Sequence, residues 1–305
     1  MKILVTGGGG FVGNVVCRDL LEKGYEVRCI DNMQNNHCDP LIGIAHNKNF
    51  EFMKLDVANT EHCDRMMDGI DAVIHLAALV GFPLCAEKPD LAQIVNVGGT
   101  RNIVERLNGR RMVFASTGSV YGKIEGICDE DSPLNAVSEY GKNKLEAENI
   151  VSSTENTCSL RFATGFGISP NIRVNLLAND LTYTAMKQGI INVFEPEARR
   201  TFIHVRDMSS AFIFCLEKTD LKYNVYNVGD NNLNWTKREL AEYIQSKTNC
   251  FVHYAEFGKD LDQRDYEVSY KRINDEGWYT QVGMETGIDE LIEASKIINI
   301  VHQYI

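Results

Sequence analysis

The stretch Val5–Gly13, VTGGGGFVG, decides the fold of this chain. It ends a short apolar run, KILVT, and opens a segment with helical periodicity that closes at the glycine of LEKG. A strand, a glycine turn and a helix in this order form an anion site, because glycine permits a tight turn and helix amides face the negative charge. The glycines fit G-x-x-G-x-x-G over Gly7, Gly10 and Gly13, and also G-x-G-x-x-G from Gly8, so both registers stay open.

An acidic residue, Asp31, ends the next apolar run, EVRCID. Dinucleotide-binding folds place at this point the acid that accepts hydrogen bonds from the adenosine ribose hydroxyls. Its charge would repel a 2′-phosphate, and the following residues, NMQNN, bring no arginine to offset that repulsion. The sequence therefore predicts NAD rather than NADP, against the alternative of an aspartate that caps a turn. Asp56, in KLDV, is a further candidate for contact with the adenine.

Strands and helices alternate along the first half of the chain. This order is typical of an α/β Rossmann fold, a doubly wound parallel sheet with helices on both faces. Strands such as AVIHLAAL are apolar on both faces, as a covered parallel sheet requires. The sequence predicts strands over 2–6, 26–31, 50–57, 71–79, 110–117 and 157–164, and helices over 11–24, 88–107 and 138–154.

The pattern changes near residue 165. We therefore predict a Rossmann domain over 1–165 and a smaller substrate-binding lobe over 166–305, with a later strand near 224–228 that can join the first sheet. Helices are expected near 176–188, 207–217, 236–248 and 287–301. No linker rich in glycine, serine or proline separates the two parts, so they should pack closely.

The composition excludes several classes of protein. A formal net charge of −11 argues against sequence-blind nucleic-acid binding, which needs a basic surface. Nine scattered cysteines without a C-x-x-C pair predict reduced thiols in a cytoplasmic protein, and no metal site is expected. No apolar run approaches about 18 residues, so no membrane span is expected.

Three tyrosine–lysine pairs have the four-residue spacing that places two side chains on one helix face. They are Tyr140/Lys144, Tyr183/Lys187 and Tyr243/Lys247. Only the first begins a helix directly after a strand of the predicted sheet, and that strand ends in hydroxyl residues, FASTGSVYG. Ligands of open α/β sheets bind at the carboxyl ends of the strands. This placement favours Tyr140 and Lys144 as catalytic residues and the other pairs as amphipathic helix residues.

A lysine beside a tyrosine has a chemical consequence. The ammonium favours the phenolate and lowers a pKa that is otherwise about 10. Such a phenol can take the proton from a sugar hydroxyl while hydride leaves the same carbon for a nicotinamide. Thr117, at the end of the fifth predicted strand, can hydrogen-bond the same oxygen.

Seven short motifs follow one another along nearly the whole chain: TGGGGFVG, HLAALVG, NVGGT, STGSVYG, YGKNK, RTFIHVRD and YNVG. In this order and approximate spacing they resemble the extended short-chain dehydrogenase/reductase family, in its branch of NAD-dependent sugar-nucleotide epimerases and dehydratases. The resemblance implies NAD as cofactor, a nucleotide-sugar substrate, and a homodimer formed through the helices over 88–107 and 138–154. The alternative for these helices is that they only cover the sheet of a monomer.

The same resemblance assigns residues to the site. Thr117, Tyr140 and Lys144 would be catalytic, and Asn96 and Thr100 would lie on a helix beside the cofactor. The implied cofactor-binding residues are Gly7, Gly10, Phe11, Val12, Gly13, Asp31, Asn32, Asp56, Val57, Leu76, Ala77, Ala78, Asn96, Tyr140 and Lys144. The implied substrate-binding residues are Thr117, Ser119, Thr164, Asn175, Arg200 and Arg264.

The two arginines match the family's diphosphate-binding positions, against the alternative that each is a solvated surface charge. Arg200 precedes FIHV, and Arg264 lies in DQRDY. Cys85, His75 and Lys54 are further candidates for neighbours of substrate or cofactor, although buried packing is favoured for Cys85.

Departures from the family pattern narrow the reaction. The 4,6-dehydratases carry a glutamate where this chain has Ser119, and C4 epimerases usually read R-x-F-N where this chain has RFAT with Thr164. The stretches AALVGFPLC, LRFAT and ISPNIRVNLLANDLTY are most similar to a subgroup that includes GDP-heptose C4 dehydrogenases of capsule synthesis. This similarity favours a GDP-sugar over a UDP-sugar.

The sequence thus predicts NAD-dependent oxidation at C4 of a nucleotide-activated sugar, as an epimerase or a 4-dehydrogenase in surface-polysaccharide synthesis. A 4,6-dehydratase is the alternative within the family. A non-catalytic dinucleotide-sensing protein on the same fold is the alternative from another class, and such proteins usually lose the tyrosine–lysine pair.

Overall fold

A seven-stranded parallel sheet forms the centre of the computed structural model, which describes residues 1–34, 39–122, 126–255 and 267–298. From one edge to the other, its strands are β11 (Val225–Val228), β7 (Thr157–Phe162), β5 (Arg111–Thr117), β4 (Ala72–His75), β1 (Lys2–Thr6), β2 (Glu26–Asp31) and β3 (Phe50–Lys54). The chain runs outward from β1 to β3 in one direction, then returns and continues to β11 in the other, which makes the sheet doubly wound. The predicted fold class, an α/β Rossmann fold, is confirmed.

The strands of this sheet are short and mostly buried. The helices of the first half are α1 (Gly13–Glu22), α2 (Asp39–Ile42), α3 (Thr60–Met67), α4 (Phe82–Glu87), α5 (Pro89–Ala92), α6 (Gly99–Val104) and α7 (Glu139–Ser152). A π-helical segment, Gln93–Gly98, connects α5 to α6.

Helices cover both faces of the sheet because successive side chains of each strand point to opposite sides. Ile3 and Val5 of β1 belong to one buried cluster with α1 residues, whereas Leu4 belongs to another with α3, α6 and α7 residues. Ile3, Leu4 and Val5 are all fully buried, which explains why three apolar residues follow one another in β1.

The second half of the chain forms a smaller layer beside this sheet. The strands outside the large sheet are β6 (Ile127–Cys128), β8 (Thr164–Phe166), β9 (Ile190–Phe194), β10 (Arg199–His204), β12 (Asn234–Thr236), β13 (Phe251–Ala255) and β14 (Glu267–Val268). Of these, β6 comes from the first half of the chain and pairs with β14. The helices of the second half are α8 (Leu177–Gln188), α9 (Val205–Glu217), α10 (Lys237–Thr248), α11 (Lys271–Asp275) and α12 (Met284–Ile297). A separate apolar cluster holds α8, α10 and α12 together.

The two halves interlock rather than meet at a linker. β11 pairs with β7 in the large sheet, and α9 packs on the same sheet face as α1. β8 begins two residues after β7 ends and pairs with β10 of the small layer. The division of the chain at 165 and 166 stays a prediction.

Several predicted elements differ from the structure. The third strand ends at Lys54 and the sixth at Phe162, and the last helix spans Met284–Ile297, with 299–301 outside the described residues. The fourth strand ends at His75 instead of continuing to Leu79, because the backbone beyond it binds side chains: Leu76 and Ala77 donate to the Thr6 hydroxyl, and Leu79 pairs with Asn96. The single helix expected over 88–107 is divided by the π-helical segment. Single π-helical turns are common beside functional sites. This one contains Asn96.

The described cysteines, eight of the nine, are buried free thiols, and Cys38 lies outside the described residues. Within the described ranges, no helix is long and apolar enough to cross a membrane.

Candidate active site

The glycine turn between β1 and α1 is built on Gly7, Gly10 and Gly13. Gly7 has a φ of +71°, and a Cβ on it would lie 2.8 Å from the Ala77 nitrogen. A Cβ on Gly13 would lie 2.2 Å from the Gly7 oxygen, so the helix can begin here only with glycine. The Gly10 amide donates to the Gly7 carbonyl at 3.0 Å and closes the turn. Gly8 is also closely packed, since a Cβ on it would clash with the Cys29 sulfur, so both registers that the sequence leaves open fit this turn.

The start of α1 fits the diphosphate of a dinucleotide. Its N-cap residue, Val12, makes no side-chain capping bond, and the first turn holds no acidic residue. The amides of the first turn and the positive end of the helix dipole therefore face the glycine turn without a competing side-chain anion.

Asp31 ends β2 beside this turn. Its carboxylate accepts from the Gly9 amide at 3.0 Å and from the Met33 amide at 2.8 Å. Burial raises its pKa, and the two backbone amides oppose that rise. Asp31 therefore does cap a turn, through its contact with the Met33 amide. Each carboxylate oxygen still has a second lone pair that can accept from a ribose hydroxyl. Asn32 donates to Asp56 at 3.2 Å, so these two predicted residues also meet.

A loop from the second half covers the glycine turn. The Ser169 hydroxyl donates to the Phe11 carbonyl at 2.6 Å, and the Asn171 amide group donates to the Gly9 carbonyl at 2.8 Å. Asn14 of α1 donates to Ser169 at 2.9 Å and fastens the loop from below. Sequence analysis missed these residues, because the Asn14–Ser169 contact joins positions 155 apart and no local pattern marks it.

His75 supports the loop after β4 and does not face solvent. Its Nδ1 lies 2.6 Å from the Thr6 hydroxyl and its Nε2 lies 3.1 Å from the Thr100 hydroxyl. The Thr100 hydroxyl donates to the Asn96 carbonyl, which assigns the ring proton to Nε2. Burial, aided by the Lys144 charge, lowers the pKa of His75 to about 3 and keeps the ring neutral. The chain of hydrogen bonds fixes Leu76 and Ala77 next to Gly7, and Ala78 follows them half-buried.

Tyr140 lies in the first turn of α7. The Ser138 side chain caps this helix by accepting from the Gly141 amide at 3.0 Å. The Tyr140 ring packs against the buried cluster of Leu79 and Cys85, which connects it to the loop after β4.

Lys144 lies one turn further along α7 and is only 2% exposed. Its Nζ lies 4.0 Å from the centroid of the Phe114 ring. Burial lowers the pKa of Lys144 to about 7, and the nearby charge of Glu148 opposes that shift. A buried lysine one turn from a tyrosine can hold a proton near the phenol without exposing its charge to water.

Gly141 brings the strand end to this helix. A Cβ on Gly141 would lie 2.9 Å from the Ser119 carbonyl, so glycine lets α7 approach the turn after β5. Thr117, at the end of β5, donates to the Ser119 hydroxyl at 3.2 Å and accepts from the Ser119 amide at 3.2 Å. The predicted hydroxyl residues therefore lie beside the start of the tyrosine helix. Gly141 was not among the predicted site residues, although it lies within the motif YGKNK.

A cleft opens beside Thr117 between the two halves. Thr164 and Arg200 line it, together with Asn227 and Tyr270. Arg200 is 4% exposed, which argues against a solvated surface charge. Asn175 is exposed and accepts from Arg173 at 3.2 Å, outside this lining. Arg264 lies outside the described residues.

The two remaining candidates do different things. Cys85 is buried and its thiol donates to the Leu79 carbonyl at 3.3 Å. Burial raises its pKa to about 11, so it stays a thiol near neutral pH and serves as packing behind Tyr140. Lys54 is exposed at the end of β3.

The fold, the glycine turn and the tyrosine–lysine helix define a dinucleotide-dependent enzyme with a Rossmann domain. Comparison with known proteins makes this assignment specific. Residues 3–229 match the NAD dependent epimerase/dehydratase family, and the chain belongs to that family. Its cofactor is accordingly NAD, as the sequence predicts.

Individual relatives align over most of the chain. The chain is 31% identical to a UDP-glucose 4-epimerase of Bacillus subtilis (strain 168), over 93% of this chain and 94% of the relative. It is 30% identical to a bifunctional UDP-glucose 4-epimerase and UDP-xylose 4-epimerase 1 of Pisum sativum, over 75% of this chain and 76% of the relative. Among solved structures, MoeE5 in complex with UDP-glucose and NAD superposes with a TM-score of 0.84 at 25% identity, covering 97% of this chain and 99% of that chain.

Proposed function

We propose that this protein oxidises C4 of a nucleotide-activated sugar and returns the hydride to the opposite face of the same carbon, as a sugar-nucleotide 4-epimerase. The observation that carries the proposal is the buried Lys144 one turn from Tyr140, beside the hydroxyls at the end of β5. The aligned 4-epimerases support the reaction class. Release of a 4-keto sugar, as a dehydrogenase, is the second outcome.

Each residue has a distinct task in this reaction. Tyr140, as phenolate, takes the proton from the sugar hydroxyl, and Thr117 hydrogen-bonds the same oxygen. Lys144, when protonated, favours the phenolate. NAD, when bound, accepts the hydride and gives it back. Burial of the lysine excludes water from the ammonium, so its charge acts on the phenol at low dielectric.

We infer that the diphosphate of the substrate binds at the cleft beside Thr117. The buried guanidinium of Arg200 can donate two parallel hydrogen bonds to the oxygens of a diphosphate, because guanidinium groups are planar. The names of the aligned relatives favour a UDP-sugar, whereas the subgroup resemblance favours a GDP-sugar. We infer a UDP-sugar, in surface-polysaccharide synthesis in the cytoplasm, and a homodimer formed through the α5–α6 segment and α7.

The substrate and outcome can be tested together. We expect that incubation with NAD and a panel of UDP-, GDP-, CDP- and dTDP-sugars converts a UDP-sugar to a product of unchanged mass. A product lighter by two hydrogens would indicate a 4-dehydrogenase, and turnover of GDP-sugars alone would contradict the UDP assignment. No product lighter by one water is expected, because Ser119 offers a hydroxyl where a dehydratase needs a carboxylate base. Loss of water from any sugar would show that another residue replaces it.

Asp31 should govern the choice of cofactor. We expect the protein to bind NAD far more tightly than NADP, and Asp31→Ala to narrow the difference by removing the charge that repels a 2′-phosphate. The loss should fall mainly on NAD, because the carboxylate oxygens that would bind its ribose are gone. Calorimetry with both cofactors measures this. Equal affinities in the unmodified protein would contradict the assignment.

A further inference from the structure

A buried ion pair lies directly behind the catalytic lysine. Glu148, one turn beyond Lys144 on α7, meets Arg161 of β7, and the Arg161 Nη2 lies 2.6 Å from the Glu148 Oε1. The Arg161 Nε donates to the same carboxylate at 3.1 Å, and the Ser116 hydroxyl donates to it as well. The side chains of the pair are 3% and 4% exposed. Every partner of the carboxylate is thus fixed by the sheet.

The pair needs an explanation beyond stability. Removing two charges from water costs about as much as their attraction returns, so a buried ion pair is weak evidence for stabilisation. Its position suggests a different use. Ser116 precedes Thr117 on β5, and Glu148 follows Lys144 on α7, so the carboxylate joins the two elements that carry the proposed catalytic residues.

Apart from Tyr140, whose phenolate takes part in the proposed reaction, the other groups that face Lys144 carry no charge near neutral pH. The Phe114 ring of β5 is apolar, the Cys85 thiol of α4 is protonated, and the His75 ring of β4 is neutral. Glu139, at the start of α7, acts on Cys85 rather than on the lysine. Among the described residues, the anion that most favours the charged form of Lys144 is Glu148.

We propose that Glu148 and Arg161 are positioning residues that set the protonation of Lys144. Glu148 supplies the negative charge that keeps the buried ammonium protonated, and Arg161 holds that carboxylate in place and limits its field. The idea rests on the proposed function for its catalytic meaning, but the protonation of Lys144 can be measured without any substrate.

Arg161 also connects the pair to the substrate cleft. Its Nη1 donates to the Tyr121 hydroxyl at 2.9 Å, and that hydroxyl donates to the Asn227 side chain at 2.6 Å. Arg161 and Asn227 both line the cleft. The pair therefore lies between the place proposed for the nucleotide sugar and the lysine that acts on the phenol.

Two single variants should move the lysine in opposite directions. Glu148→Gln leaves the Arg161 charge unopposed and should lower the titration midpoint of Lys144. Arg161→Met leaves the Glu148 charge unopposed and should raise it. The shift should be larger for Glu148→Gln than for Arg161→Met, because the Glu148 charge acts directly on Lys144 whereas Arg161 acts mainly through Glu148. A role limited to packing would move both midpoints in the same direction or neither.

The midpoint can be read from the ε-carbon chemical shift of ¹³C-labelled lysine, with the Lys144 signal assigned by its loss in Lys144→Met. Glu148→Asp, which keeps the charge, should stay close to the unmodified protein. The double variant Glu148→Gln with Arg161→Met removes both charges of the pair, so neither is left buried without its partner. It is the variant to use if a single variant does not fold. Its midpoint should fall, by less than that of Glu148→Gln. Equal midpoints in the double variant and the unmodified protein would overturn the proposal.

A kinetic arm relates the pair to turnover. With NAD and UDP-glucose as probe, the pH limit of kcat/KM that belongs to Lys144 should move with the midpoint measured by NMR. Shifts in NMR without turnover of any sugar nucleotide of the panel would support the pair and contradict the proposed function. Turnover with the same Lys144 midpoint in all variants would support the proposed function and contradict the role given to the pair.

Discussion

Tyr140→Phe is expected to lower turnover roughly 10²–10⁴-fold, the range of a positioned proton-transfer group. The variant loses one oxygen and keeps the ring that packs against Leu79 and Cys85. The fold and NAD binding should therefore persist, apart from any hydrogen bond of the phenol to the cofactor. Steady-state kinetics with UDP-glucose measures turnover, and calorimetry with NAD shows that the site remains formed.

The chain provides two matched controls. Tyr183 and Lys187 lie on α8 with the ammonium 5.7 Å from the ring centroid, and Tyr243 and Lys247 lie on α10 at 5.1 Å. Both lysines are exposed, whereas Lys144 is buried. Tyr243 and Lys247 both contact Asp289 at the surface. Tyr183→Phe and Tyr243→Phe should each leave turnover almost unchanged.

The comparison isolates position from motif. All three variants remove the same atom from the same four-residue spacing. If Tyr183→Phe or Tyr243→Phe reduces turnover as much as Tyr140→Phe while the protein stays folded, the active site is placed wrongly. If none of the three affects turnover, proton transfer does not depend on a tyrosine of this spacing.

The local parts of the site could be predicted from the sequence. Gly7, Gly13 and Asp31 have roles that depend on a single strand–turn–helix–strand unit, so their spacing carries the information. The tyrosine–lysine pair was ambiguous as a motif and could be chosen only by its place after a strand. The structure adds a reason that sequence spacing does not contain, because burial separates Lys144 from the two exposed copies.

The rest depends on contacts between distant segments. The hydrogen bonds of Ser169 and Asn171 to the glycine turn join the two halves of the chain. Nothing in the sequence of residues 169–171, SPN, distinguishes this segment from an ordinary loop. The fourth strand ends early because Thr6 and Asn96 bind the backbone beyond His75. From the sequence alone, an apolar run such as HLAAL predicts a continuous strand, because the distant side chains that compete for its backbone hydrogen bonds cannot be recognised. The pairing of Glu148 with Arg161 is hidden for the same reason, since helix and strand meet only in the fold.

Lys144→Met is expected to give the second large effect, with turnover lower by about 10²-fold or more and a higher pH optimum. Without the ammonium, the Tyr140 phenol loses the charge that favours phenolate, so its pKa should move toward the ordinary value of about 10. A higher pH is then needed to form the active phenolate. The pH dependence of kcat measures this. An unchanged optimum would contradict the role given to the lysine.

The same variant should be more stable than the unmodified protein near neutral pH. The pKa of Lys144 falls from 10.5 to about 7 in the folded protein, so the unfolded chain binds the proton more tightly between these values. The stability of the unmodified protein should therefore rise with pH over this window, and the cost of the buried charge is fully present below pH 7. Methionine removes that cost, which is on the order of a few kcal/mol at about 1.4 kcal/mol per pH unit.

Thermal unfolding at several pH values tests this linkage. Lys144→Met should exceed the unmodified protein most at about pH 6 and approach it as the pH rises toward 10.5, the ordinary lysine pKa. Lys247→Met, at an exposed lysine of the same spacing, should show no gain that depends on this pH window. A stability difference that stays constant from pH 6 to the ordinary lysine pKa would mean that packing, not the buried charge, sets it. Lys144 would then act as a packing residue, without a buried charge that lowers stability for the sake of catalysis.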